Sequence, residues 1–364
     1  MRVAVTLEQC WHRVPGGTAA AAIETVRALV SRGDVDLVGV SARHRRPPPP
    51  DWTPPIPALA LPLPRLALYE AWHRLRRPGV ERATGPVDVI HATGYAMPPR
   101  TAPLVVSIHD LAYLHEPGHF TAHGLRFLNR GLDLARAEAD VVLCPSRATV
   151  ADCERVGFDR SRLRLVPLGV DAIPAAPADV ERVRRQHGLG RYVLWVGTIE
   201  PRKNLPRLLE AFRRLDRSDV ELALVGPTGW HESLTPHLDG LADRVRLLGF
   251  VPGGDLAPLY AGAELFCFPS LREGFGLPVL AAMAQGTPVV SSAATSNEEI
   301  VEGAGVLVDP TDPAAIAAAM AELLDDPERA AKLAAMGAER AATYTWERTA
   351  TLTTAAYAEA IGTS

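Results

Sequence analysis

Residues 3–7 and 35–40 are short β-branched runs, and between them residues 18–31 carry a helical pattern that Gly33 ends. Two strands joined by such a helical crossover lie parallel, because the helix returns the chain to the same end of the sheet. Further buried strands are expected at 87–91, 104–108, 141–144 and 164–167. A long helix is expected over 121–139, and Pro145-Ser146 opens the next, with Ser146 as N-cap. A second series starts at 192–196. Its strands continue at 221–225, 244–248, 266–268, 287–291 and 305–308, separated by helices over 205–215, 233–242, 254–262 and 279–285. Residues 313–361 read as helical, with Trp346 starting the final piece. The pattern is α/β: two doubly wound bodies.

The 364 residues suit two domains with full cores at about 150 residues per domain. No apolar run approaches the ~20 residues that span a bilayer. The first seven residues read as a strand rather than a signal peptide. Cys10, Cys144, Cys153 and Cys267 are scattered without paired spacing. Neither a metal nor disulfides are expected, and a reducing cytoplasm fits. The net charge of −4 is uneven, +5 over residues 1–170 and −9 beyond, which favours two bodies with the first drawn to anionic surfaces. No aromatic-plus-basic pattern points to nucleic acid.

Three segments break the alternation. Residues 44–64 are proline-rich, with Pro47 to Pro50 consecutive, and are expected to be a surface loop without regular structure. Residues 66–77 read as a helix mixing apolar, aromatic and cationic positions. Such a helix suits an anionic membrane surface, and equally a domain helix with a solvated arginine face. Residues 173–179 read as a linker, which divides the chain into 1–171 and 172 onward.

The chemistry gathers at strand ends. After the strand at 266–268, Glu273-Gly274-Phe275-Gly276-Leu277-Pro278 place one carboxylate and two glycines before a helix. The glycines allow close approach of a ligand, and the helix N-terminus favours an anion. Arg202 and Lys203 follow the strand at 192–196 and suit a diphosphate. As a solvated pair at a helix start they would oppose the macrodipole unless an anion is shared. His109 and Asp110 follow the strand at 104–108, at the carboxyl edge where open parallel sheets bind ligands, so they are placed either for chemistry or substrate contact or, for His109, as a structural histidine. Pro15-Gly16-Gly17 is either a phosphate approach or a tight turn. The full G-x-G-x-x-G fingerprint is absent, which disfavours a nicotinamide oxidoreductase.

With G-T-I-E-P-R-K-N at 197–204, G-F-V at 249–251, E-G-F-G-L-P-V-L at 273–280 and A-Q-G-T-P-V-V at 284–290, the chain resembles the retaining family 4 glycosyltransferases. S-I-H-D-L at 107–111 and H-A-T-G-Y-A-M-P-P at 91–99 fit more loosely. The similarity is nearest to bacterial mannosyl- and rhamnosyltransferase-like members. It implies the GT-B fold, two Rossmann-like domains facing a cleft: an acceptor-side domain over 1–171, a nucleotide-sugar domain over 172–345, and a helix over 346–364 crossing back to the first.

The resemblance also implies roles. Arg202 and Lys203 would hold the donor diphosphate and stabilise the leaving group. Glu273 would bind donor sugar hydroxyls, and the Gly274 turn with the amides of Phe275, Gly276 and Leu277 would contact phosphate or sugar. His109 would lie near the reacting sugar, and Gly16 and Gly17 would approach the diphosphate. The base would sit near Phe250 and Val251. No metal or other cofactor is implied, and retention is explained by same-face attack assisted by the departing phosphate, without a protein nucleophile. The substrates would be a nucleotide-diphosphate sugar and a hydroxyl-bearing glycan, lipid-linked or small-molecule acceptor. The setting would be cytoplasmic, with membrane contact through the first domain.

One position departs from the family pattern. A second glutamate, eight positions after the first, grips the nucleotide ribose in the family; here that place is Ala281. The change suits weaker ribose selection, as with a deoxyribose donor, or an acidic substitute at Glu298 or Glu299. It also keeps open a catalytically silent nucleotide-sugar-binding protein. A nucleotide-sugar epimerase of the same fold is the remaining alternative, and would need further cleft carboxylates.

Overall fold

The computed structural model describes residues 1–227, 229 and 234–362. It divides into two compact units, Met1–Gly169 with Thr345–Ser364, and Val170–Tyr344. The first is built on seven parallel strands: β1 (Arg2–Thr6), β2 (Asp36–Ser41), β3 (Ala58–Ala60), β4 (Val89–Ala92), β5 (Leu104–Ser107), β6 (Val141–Cys144) and β7 (Leu163–Leu165). Their order is β3-β2-β1-β4-β5-β6-β7, so the direction of winding reverses between β1 and β4. Successive side chains of a strand point to opposite faces. Val3 and Val5 accordingly join one core with Ile23, Val26 and Leu29 of the helix Gly16–Arg32, while Ala4 joins the core on the other face.

The helix Trp346–Gly362 belongs to this first unit, as the resemblance implies. Ala350, Ala356, Tyr357 and Ala360 are buried on the same face as Val3 and Val5. Thr349 Oγ1 donates to the Pro167 carbonyl at 2.7 Å. Gly169 lies so close that a Cβ there would stand 2.2 Å from the Trp346 nitrogen.

The second unit has six parallel strands: β8 (Tyr192–Val196), β9 (Glu221–Val225), β10 (Val245–Gly249), β11 (Leu265–Phe268), β12 (Val289–Ser292) and β13 (Val306–Val308). Their order is β10-β9-β8-β11-β12-β13, with the reversal between β8 and β11. Phe266, Phe268, Trp195 and Phe212 are among the largest side chains fully buried here.

Four local expectations need correction. The proline-rich segment contains β3, which pairs with β2. An edge strand tolerates neighbouring prolines, since only one side needs donors: Gly39 donates to the Pro57 carbonyl and Leu61 to Ser41. The helix expected over 66–77 is an α-helix, Arg65–Glu70, followed by a π-turn, Ala71–Leu75, that ends at Arg76 in the left-handed region. Leu68, Trp72 and His73 of that element are buried. Arg76 donates to the carbonyls of Trp72, Met97 and Pro98 and pairs with Glu138, so it braces the fold rather than a solvated face. The linker is shorter than expected, because a helix begins at Pro177 (Pro177–His187). Of the helix expected over 233–242, Ser233 lies outside the described residues and the rest holds one 3-10 turn, Thr235–His237.

Candidate functional site

Arg202 and Lys203 lie in the 3-10 turn Pro201–Lys203 after β8, and Glu273 lies in the loop after β11. Ligands of open parallel sheets bind outside the carboxyl ends of strands where the order reverses, and these two loops flank that reversal in the second unit. Backbone contacts join them: Leu271 donates to the Arg202 carbonyl at 2.8 Å, and Asn204 Nδ2 to the Pro269 carbonyl at 2.8 Å. Asn204 has φ +62°, a left-handed turn that an asparagine tolerates.

The side chains form one cluster. Lys203 Nζ is 2.7 Å from Glu273 Oε1, and Arg202 Nη1 is 2.9 Å from Oε2. Arg202 Nε is 2.7 Å from Glu200 Oε1. Two cations therefore meet two carboxylates, and the anion that a cation pair at a helix start requires is supplied by the protein itself. Lys203 and Glu273 are each only 8% exposed. Burial pushes the Glu273 carboxyl upward, but Arg202 and Lys203 together outweigh it and hold it below the usual carboxylate range. Burial and the adjacent Arg202 lower Lys203, against the pull of Glu273 and Glu200. The lysine ammonium also stands 4.9 Å from the centre of the Phe268 ring, a favourable cation–π distance.

The glycine loop is held from behind. Gly276 has φ +113° and precedes the helix Leu277–Ala284, whose N-terminus has no side-chain cap and carries Pro278 in its first turn. A Cβ on Gly276 would stand 2.4 Å from Asn297 Oδ1. Gly274 lies buried in the same turn, Ser296 Oγ donates to the Glu273 carbonyl at 2.8 Å, and buried Phe275 packs edge-on against Tyr344. Ser296, Asn297, Asn204 and Glu200 support the site without having been singled out from the sequence. Glu200 and Asn204 stood inside the 197–204 motif without a role of their own, and for Ser296 and Asn297 the helix-start composition of Thr295-Ser296-Asn297 could have served as the pointer. Val251 is buried just after β10, beside the exposed Phe250. Ala281 is half-buried on the helix behind the glycine loop. Glu298, considered as its substitute, accepts the Ala294 amide at 3.0 Å.

In the first unit, Gly16 and Gly17 open the helix after β1, with open space where a Cβ would be, and Gly16 has φ +63°. His109 follows β5. It lines a cavity of about 30 Å³ with His91, Thr93, Ser107, Thr349 and Thr353. Its Nε2 is sealed from solvent and has no hydrogen-bond partner among the described residues. Burial lowers its pKa more than Asp110 and the Thr93 backbone raise it, so the ring is neutral at pH 7. The sequence-predicted residues thus fall into two groups: Arg202, Lys203, Glu273, Gly274, Phe275, Gly276, Leu277 and Val251 in the second unit, and Gly16, Gly17 and His109 in the first.

Two parallel sheets with these strand orders, and a last helix that belongs to the first unit, make up the GT-B fold. Residues 15–172 match the model of Glycosyltransferase Family 4, and 190–326 that of Glycosyl transferases group 1. The O-antigen chain mannosyltransferase B of Escherichia coli is 34% identical over 280 residues, covering 74% of each chain. A D-inositol 3-phosphate glycosyltransferase of Xylanimonas cellulosilytica is 30% identical over 389 residues, 95% of this chain and 92% of that one. The chain belongs to the family 4 glycosyltransferases. Its fold is shared with Anabaena HepE, solved with UDP and glucose (TM-score 0.77, 21% identity, 98% of both chains). It is shared too with sucrose-phosphate synthase of Thermosynechococcus elongatus (TM-score 0.78, 23% identity, all of both chains). Among the described residues no group of three His, Cys, Asp or Glu side chains could hold a metal, and no helix is long and apolar enough to cross a membrane.

Proposed function

We propose that this glycosyltransferase moves a hexose or deoxyhexose from a nucleotide-diphosphate sugar to a hydroxyl-bearing acceptor, with retention at the anomeric carbon and without a metal. The observation that carries this reading is the Glu273 carboxylate held between Arg202 and Lys203 at the β8/β11 reversal. Arg202 and Lys203 take the donor diphosphate and the charge that grows on it as the glycosidic bond breaks. The uncapped helix end at Gly276 and Leu277, with the Phe275 amide and the Gly274 turn, takes the remaining phosphate oxygens. Glu273 accepts from sugar hydroxyls. When it does so, the cation it releases turns its N–H groups to phosphate, so donor binding reorganises a neutral cluster.

Val251 and Phe250 border the base. From the first unit, the reading assigns the neutral His109 ring to the reacting sugar and the open turn of Gly16 and Gly17 to the diphosphate. The acceptor hydroxyl attacks the face the phosphate is leaving, and its proton passes to the departing phosphate. Side-chain cations and a helix end supply the electrostatic stabilisation, so a metal has no step to perform. Relatives named as a mannosyltransferase and an inositol 3-phosphate glycosyltransferase support a hexose donor and a polyol or glycan acceptor. A neighbour solved with UDP-glucose supports a nucleotide sugar.

Nucleotide release from GDP-, UDP- and dTDP-sugars in the presence of EDTA, with the product anomer assigned by NMR, tests this reading. Inversion, or dependence on a divalent ion, would contradict its finer parts. Ala281 favours a second reading, a donor-binding protein without transfer. Nucleotide-sugar binding with no release under any acceptor would support that one.

A further inference from the structure

The helix that carries Arg74 and Arg76 engages both, with Glu70 and Glu138 respectively. A different set of cations has no such partner. Arg13, Arg43, Arg45 and Arg46 are exposed and Arg65 half-buried, and none makes an ion pair or side-chain hydrogen bond among the described residues. They lie in the segments that follow β1, β2 and β3, three adjacent parallel strands, and so share one carboxyl edge of the first sheet.

These segments are braced. Glu8, 3% exposed, accepts the Ala42 amide at 2.7 Å and contacts His44 Nε2 at 2.9 Å. Trp11 stacks on His44 with ring centres 4.8 Å apart, and its Nε1 donates to the Arg46 carbonyl at 3.0 Å. The Arg43 amide donates to Leu63 at 2.9 Å. His12 contacts the Tyr69 hydroxyl at 3.2 Å. These contacts hold the backbone that carries the arginines. Like charges gathered on one sheet edge repel one another unless an anion joins them, and the arginine fork matches phosphate oxygens.

We propose that this edge, around Arg43, Arg45 and Arg65, binds a phosphate group carried by the acceptor. This deepens the proposed function and rests on it: the substrate class is a phosphorylated polyol or glycan, free or lipid-linked. Glu8 and Trp11 are positioning residues that hold the arginine-bearing segment.

The test is calorimetric titration of the full chain with glycerol 3-phosphate and, as control, glycerol, at low ionic strength. Glycerol 3-phosphate binds and glycerol does not, and the Arg43→Gln/Arg45→Gln double variant weakens binding by about tenfold. Arg74→Gln leaves it unchanged. UDP, GDP and dTDP affinities are measured on the same samples and do not move. Cosedimentation with phosphatidylglycerol–phosphatidylcholine vesicles distinguishes the source. Vesicle binding that the double variant also loses assigns the phosphate to a lipid-linked acceptor, and its absence to a soluble one. Equal binding of glycerol 3-phosphate by wild type and double variant, no binding at all, or vesicle binding alone overturns the proposal. Failure of the wild type to bind any nucleotide counts instead against the transferase reading.

Discussion

Lys203 and Glu273, 70 residues apart in the chain, meet at 2.7 Å with both side chains nearly out of water. Breaking one side of a buried pair strands the other charge, which typically costs about 3 kcal/mol. Glu273→Gln is therefore expected to lower stability by ~3 kcal/mol and transfer by about 100-fold. Lys203→Met combined with Glu273→Leu removes both charges and recovers much of the stability while remaining inactive. Chemical denaturation and initial rates on the three proteins check this. Recovery of activity along with stability would assign the pair a purely structural role.

The Gly276 backbone is tested by Gly276→Ala. The positive φ and the 2.4 Å approach to Asn297 act together. A strained residue of this kind costs about 1–3 kcal/mol, and the shifted helix end no longer faces phosphate. Nucleotide affinity should fall with stability, whereas Gly253→Ala, where the added Cβ meets open space, should leave both unchanged.

Acid should weaken the first unit through His91. Its Nδ1 meets the Tyr357 hydroxyl at 2.7 Å and its Nε2 meets Ser107 Oγ at 2.8 Å. Burial, helped by nearby His109, lowers it from an ordinary value of 6.5 to about 3. Below 6.5 the unfolded chain takes a proton that the folded chain refuses, so stability is full above that value and falls as pH drops toward 3. At pH 5 this amounts to about 2 kcal/mol. Denaturant melts at pH 7 and 5 should show the loss. His91→Phe should start less stable and show a shallower pH dependence.

Both sheets were legible because every strand but β3 is a short apolar run and most crossovers carry a helical period; the crossover before β10 does not, and among the described residues holds only the 3-10 turn Thr235–His237. The loop residues were legible because Arg202, Lys203, Glu273, Gly274 and Gly276 stand at strand ends in a recognisable order. That Glu273 and Glu200 together neutralise the two cations was not, since no local pattern says which carboxylate a buried lysine meets. β3 escaped notice because proline and turn residues outweigh a three-residue strand whose only support comes from β2. The π-turn at Ala71–Leu75 departs from the helical period just where Trp72 and His73 turn inward, so an apparently amphipathic surface helix is half core. The arginines of the first sheet's edge are spread over residues 13–65, and the strand order gathers them.

Ala281 makes a prediction about the nucleotide. Restoring an acceptor at that place with Ala281→Glu should tighten UDP or GDP by about tenfold, the worth of one charged hydrogen bond. It should tighten dTDP less, if the new carboxylate reaches the ribose hydroxyl that dTDP lacks. Competition binding against the three nucleotides checks this. An equal gain for all three would place the new side chain away from the ribose. For the unaltered chain, strong preference for GDP- or UDP-sugars over dTDP-sugars would count against a deoxyribose donor.

Sugar transfer itself is tested most directly by following nucleotide released from a panel of nucleotide sugars, with and without acceptor, by wild type and by Glu273→Ala and Lys203→Ala. The account predicts release by the wild type that acceptor accelerates and that either substitution abolishes. Release that persists unchanged in both variants would contradict the assignment of the Arg202–Lys203–Glu273 cluster as the donor site.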